Sequence, residues 1–190
     1  MKVVTGVSNR HVHLTKEDLE VLFGKGYELT KVRDLVQPGQ FAAGEHVSIK
    51  SDNGQIDHVR VIGPIRKYTQ VEISKTDAIK LKLNPPIRDS GDLENSEKVT
   101  IIGPFGSIEK DNCCILANRH IHMTPDMQRE LGLAGKTEVK VKIEGEKGGI
   151  LDHVVLKVMD VAALELHLDT DDANAHLVKT GDYVTVIEDE

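Results

Sequence analysis

The seven residues Asn9-Arg10-His11-Val12-His13-Leu14-Thr15 return almost letter for letter at Asn118-Arg119-His120-Ile121-His122-Met123-Thr124. In an extended strand, side chains at i and i+2 leave the same face about 7 Å apart, so each pair of imidazoles can converge on one ion. One such pair reads more readily as two ordinary surface histidines. Its duplication moves the reading to a pair of metal half-sites built into two similar halves.

The echo extends along the chain. Asp57-His58-Val59 returns at Asp152-His153-Val154, an offset of 95, and at that offset Asp77-Ala78 meets Asp172-Ala173 and Glu72 falls on His167. Each half therefore offers two histidines on one strand and a third donor from a later strand: His11, His13 and Glu72, then His120, His122 and His167. Two histidines with a glutamate, and three histidines, are sets that catalytic zinc uses when a fourth position stays open. The plainer alternative is a group of buried, hydrogen-bonded histidines with Glu72 solvated.

Local patterns place these residues on strands flanked by short helices. Thr15 with Asp18, and Ser74 with Asp77, have the spacing of capping boxes, and Thr124-Pro125 opens a third helix with proline in its first turn. Asp52-Asn53-Gly54 marks a hairpin between His46–Ile49 and Ile56–Ile62, and strands are also expected at 31–36, 68–73, 99–102, 108–117, 151–159, 164–168 and 183–187. The stretch 85–95, rich in Pro, Asp, Ser and Gly, reads as a linker between domains at 1–84 and 96–190, with strands exchanged near the linker and the termini.

A formal charge of -7 argues against general affinity for nucleic acid or anionic membranes, so any phosphate site must be local. No apolar run reaches the roughly 18 residues of a membrane span, and Met1-Lys2-Val3-Val4 has no signal-peptide core; a cytoplasmic address is expected. Adjacent Cys113 and Cys114 are unsuited to pairing with each other; they read as core thiols, with an acyl-accepting nucleophile as the sharper alternative. His58 and His153 read as structural, His46 and His176 as surface residues. Arg10 and Arg119 point away from the histidines and read as braces. Arg66 follows Gly63-Pro64 and leads into the strand of Glu72, where a guanidinium suits phosphate or carboxylate, although a surface arginine fits the spacing as well. Gly6, His11, His13, Glu17 and Gly24 approach a cupin motif, but Glu17 falls in a helical pattern and the second copy repeats His-x-His, which excludes that reading.

The segments Ser8-Asn9-Arg10-His11-Val12-His13-Leu14, Gly63-Pro64-Ile65-Arg66, Pro86-Ile87-Arg88-Asp89-Ser90-Gly91 and Ala117-Asn118-Arg119-His120-Ile121-His122, in this order, resemble the PduL-type phosphate acyltransferases over essentially the whole chain. The resemblance implies a mainly β fold with short helices, two similar β-barrel domains from an internal repeat, and a two-zinc active site at their junction. It implies reversible acyl transfer between coenzyme A and phosphate. By position, one zinc would take His11, His13 and Glu72 and the other His120, His122 and His167. Arg66 stands where the family binds phosphate, and Ser8, Arg33, Arg60 and Asn174 where coenzyme A contacts are expected. The motif begins within ten residues of Met1, which matches a free cytoplasmic member rather than one with a microcompartment-targeting extension. No nucleic-acid or membrane partner is expected, and a homo-oligomer is left open.

Two other functions stay open at this level. A two-metal hydrolase would use water in place of phosphate, and a non-catalytic metal-binding module would need neither.

Overall fold

The computed structural model describes residues 1–187 and shows a mainly β chain. Its elements are β1 (Lys2–Ser8), β2 (His11–His13), α1 (Lys16–Phe23), β3 (Lys31–Asp34), β4 (Phe41–Lys50), β5 (Gln55–Gly63), β6 (Gln70–Glu72), α2 (Lys75–Leu81) and β7 (Ile87–Arg88). There follow β8 (Glu97–Ile102), β9 (Ser107–Ala117), β10 (His120–Met123), α3 (Pro125–Glu130), β11 (Glu138–Ile143), β12 (Gly149–Val158), β13 (Glu165–Asp169), α4 (Thr170–His176) and β14 (Tyr183–Ile187). No helix among the described residues is long and apolar enough to cross a membrane.

The strands form two closed barrels. In the first, β4, β5, β2, β6, β9 and β8 pair in that order and β8 returns to β4, with β3 and β7 added outside the ring. In the second, the order is β1, β13, β10, β12, β11 and β14, closed by β14 on β1. The same pairings recur in both. The His-x-His strand lies between a parallel neighbour, β5 or β12, and an antiparallel one, β6 or β13. Val12 and Ile121, the residues between the histidines, are fully buried in the two hydrophobic clusters. Burying each is worth about 1.5–3 kcal/mol, which pins the strand so that its histidines take the other face.

Membership of the two units departs from sequence order. Asn9–Leu35 and Gly39–Ala117 make the unit of the first barrel; Met1–Ser8, Val36–Pro38 and the chain from Asn118 make that of the second. Residues 85–95, expected as a linker, lie within the first unit, where β7 pairs with the end of β9. The passage between units falls at Asn9 and Asn118 instead, because long-range pairing assigns β1 to β13 and β9 to β6. Nothing in the local composition of either strand carries that information.

The helices start where the capping residues place them. Thr15, Ser74, Thr124 and Asp169 accept hydrogen bonds from the backbone N–H three residues on, at 3.1, 3.2, 3.2 and 2.8 Å. Lys82 and Leu177 end α2 and α4 in the left-handed conformation, again at an offset of 95. His58 and His153 share that conformation, with φ of 57° and 53°. Each lies where β5 or β12 fits one extra residue against its partner, so the repeated Asp-His-Val marks a β-bulge. The Arg10 guanidinium clasps the buried Asp77 carboxylate of α2 through two contacts, 2.8 and 2.7 Å. Arg119 reaches Asp172 of α4 at 3.3 Å.

Candidate metal and phosphate site

In the first barrel the pairing of β2 with β6 sets His11 opposite Glu72 and His13 opposite Gln70. The donor atoms of His11, His13 and Glu72 lie within 4.8 Å of one another, with His11 Nε2 3.4 Å from Glu72 Oε2. Adjacent ligands of a tetrahedral zinc, each about 2.0–2.1 Å from the ion, stand about 3.3 Å apart. Backbone carbonyls orient both rings: Asn9 O lies 2.8 Å from His11 Nδ1 and Ile62 O lies 3.1 Å from His13 Nδ1. A carbonyl only accepts, so each Nδ1 carries the proton and each Nε2 offers a lone pair. The donor set fits zinc.

Burial, the largest influence on His11, disfavours its imidazolium, but Glu72 and the Asn9 carbonyl outweigh it and raise its pKa. His13 is held well below the ordinary histidine range by burial, then by His11 and Arg66.

The second barrel repeats the register, with His120 opposite His167 and His122 opposite Glu165 on β10 and β13. The donor atoms of His120, His122 and His167 lie within 4.8 Å of one another, and the Nε2 atoms of His120 and His122 are 3.0 Å apart. Asn118 O lies 2.7 Å from His120 Nδ1, as Asn9 O does from its counterpart. Glu165 Oε2 lies 2.8 Å from His167 Nε2 and receives Gln37 Nε2 at 2.9 Å. Burial pushes the Glu165 carboxyl up, but these two hydrogen bonds prevail and hold it below the usual range.

Arg66 belongs beside the first triad: its charge acts on both His11 and His13. Its backbone N–H is tied to Leu14 O at 2.8 Å, and its Nη1 donates to Ser90 Oγ at 3.1 Å and Tyr68 Oη at 3.4 Å. Ser90 also receives Gln70 Nε2 at 2.9 Å, while Gln70 Oε1 accepts the Gly91 N–H at 2.7 Å. The same Nε2 lies 2.5 Å from Glu72 Oε1. Fully buried Gln70 thus joins the loop of residues 89–91 to the carboxylate of the triad.

The remaining expected residues fall in both units. Arg60 is the cross-strand neighbour of His11 on β5 and donates to Ala43 O. Arg33 lies on the exposed strand β3 opposite Ala42. Ser8, at the end of β1, faces Asp169 in register, and Asn174 is exposed on α4. Cys113 and Cys114 are buried in the first core; burial pushes the Cys113 thiol up to about 12 and Cys114 well above its ordinary value. Neither is an activated nucleophile. Gln70, Gln37 and Glu165 are polar residues at these sites that motif reading passes over, while Ser90 lies inside the motif of residues 86–91 without a role assigned from sequence. The offset of 95 that equates Glu72 with His167 also equates Gln70 with Glu165.

Residues 4–179 match the family described as phosphate propanoyltransferase. The chain is 54% identical over 187 residues to a phosphate propanoyltransferase of Thermotoga maritima, covering 98% of this chain and 89% of that protein. Similar agreement holds with proteins of the same name from Priestia megaterium, 53% over 180 residues and 95% and 83% of the two chains, and Rhodopseudomonas palustris, 46% over 185 residues and 97% and 82%. With a match of this extent, this chain is a member of the phosphate propanoyltransferase family and an acyltransferase.

Proposed function

We infer that the chain transfers a short acyl group, acetyl or propanoyl, reversibly between coenzyme A and inorganic phosphate, with one zinc held by His11, His13 and Glu72 and another by His120, His122 and His167. The observation that carries this reading is a pair of oriented donor triads in a member of a phosphate acyltransferase family. Zinc, when bound, supplies a Lewis acid that accepts thiolate and polarises a carbonyl.

The chain's own residues supply binding and aim. Arg66, steadied by Ser90 and Tyr68, presents a planar fork suited to two phosphate oxygens, and holding phosphate there turns a bimolecular attack into a positioned one. A phosphate oxygen then attacks the thioester carbonyl carbon, the carbon–sulfur bond breaks, and its electron pair leaves on sulfur as coenzyme A thiolate, giving acyl phosphate. Ser8, Arg33, Arg60 and Asn174 are assigned to coenzyme A. No acyl-enzyme intervenes, since both thiols are buried and protonated.

Thiol release from acetyl-CoA and propanoyl-CoA, followed with and without phosphate, tests the reading. Phosphate-dependent release with acyl phosphate trapped as hydroxamate is expected. Phosphate-independent release of the free acid would overturn it in favour of hydrolysis.

A further inference from the structure

Gln70 and Glu165 hold one position in the two barrels, each opposite the second histidine of the His-x-His strand and two residues before the third donor. Where that third donor is a carboxylate, Glu72, the neighbour is a neutral amide. Where it is an imidazole, His167, the neighbour is a carboxylate. Each set of four side chains thus holds one carboxylate, placed differently.

We propose that Glu165 is the positioning residue of the second triad: it fixes His167 as the tautomer that carries its proton on Nε2 and offers Nδ1 to zinc. This rests on the reading of His120, His122 and His167 as zinc ligands. An ionised carboxylate only accepts, so the ring nitrogen 2.8 Å from Glu165 Oε2 bears the hydrogen. His120, oriented by a backbone carbonyl on Nδ1, turns the opposite nitrogen toward the triad. His167 then differs from His11, His13 and His120 in binding through Nδ1, with a charged partner in place of a carbonyl.

The surroundings are shaped for that carboxylate. Glu165 is 4% exposed, and Gln37, itself 4% exposed, holds the same Oε2 from one side. Gln37 is in turn fixed at both ends of its amide by the backbone of Ala163, at 3.1 and 3.3 Å. On the other side Gly6 leaves the necessary space: a Cβ there would stand 2.5 Å from Glu165 Oε1. A carboxylate partner raises the basicity of a ligating histidine and adds negative charge beside an all-imidazole set, which has none of its own.

The test begins with zinc-loaded wild-type protein carrying nitrogen-15 histidine, in which the ring shifts report the bound nitrogen. Coordination of His167 through Nδ1 is expected, and through Nε2 for His11, His13 and His120. Zinc affinity, measured by competition with a chromophoric chelator, should fall about 10–100-fold at the second triad in Glu165→Ala, less in Glu165→Gln, and stay unchanged at the first. Binding of His167 through Nε2, or native second-site affinity in a folded Glu165→Ala protein, would overturn the proposal while leaving the zinc reading intact. A zinc content left unchanged by His120→Ala would remove both.

Discussion

Glu72 and His167 occupy the same place in their barrels, each the antiparallel partner of the first histidine of its strand, His11 and His120. A zinc completed by Glu72 retains one net positive charge from its protein ligands, whereas one completed by His167 retains two. In the proposed zinc sites the ligand charges would differ by one unit, with Glu165 beside His167 supplying the second barrel's carboxylate from outside the ligand set. Because each triad draws all its donors from one barrel, Glu72→Ala and His167→Ala should each lower metal content from about two zinc per chain to about one. Elemental analysis after gel filtration checks this; loss of both ions from either single variant would contradict it.

Arg66 is held through Nη1 by the hydroxyls of Tyr68 and Ser90. Arg66→Ala should lower kcat/KM for phosphate about 10²–10³-fold, the usual loss on removing a pre-aimed donor to developing charge. Arg66→Lys should recover only part of it, since an ammonium keeps the charge and loses the fork. Steady-state kinetics with phosphate varied at saturating acyl-CoA would read both, and a change confined to acyl-CoA would remove Arg66 from the phosphate site.

The thiols make a prediction about pH. The folded-state pKa of Cys113 is raised from 9.0 to about 12, so between those values the unfolded chain releases a proton that the folded chain retains. Each thiol raised in this way subtracts about 1.4 kcal/mol of stability per pH unit above its unfolded value, and nothing below it. Unfolding midpoints should accordingly fall as pH rises from 9 toward 12, and a Cys113→Ser, Cys114→Ala variant should lose most of that slope. At pH 8 the native protein should resist Ellman's reagent, and both thiols should react in guanidinium; rapid native labelling would revive a covalent acyl mechanism.

The grouping of His11 and His13 with Glu72, and of His120 and His122 with His167, was legible because the repeated His-x-His and the offset of 95 carried Glu72 onto His167 without knowledge of the sheet. Helix starts were legible for the related reason that Thr15, Ser74 and Thr124 act within three residues. The partners of β1 and β9 were not. Their register to β13 and β6 joins residues far apart in the chain, and an apolar strand such as Lys2–Ser8 fits either barrel equally well. Gln70 and Glu165 were hidden differently: an amide and a carboxylate at matched positions look like polar strand residues until pairing sets them beside Glu72 and His167. Ser90 lay inside a motif that marked the family, but only the fold brings its hydroxyl to Arg66.

The two arginine clasps predict an asymmetry in stability between the barrels. The Asp77 side chain is 4% exposed and meets Arg10 through two short contacts, whereas that of Asp172 is 28% exposed and meets Arg119 through one at 3.3 Å. Arg10→Ala strands a buried carboxylate at the start of α2 and should cost about 3–5 kcal/mol. Arg119→Ala removes a looser, partly exposed pair and should cost about 1 kcal/mol or less. Since the chain has no tryptophan, far-ultraviolet circular dichroism in urea is the appropriate probe. If the loss in Arg10→Ala comes from the stranded charge, Arg10→Met combined with Asp77→Leu should recover most of it; a double variant as unstable as the single one would assign the loss to packing of the arginine stem instead.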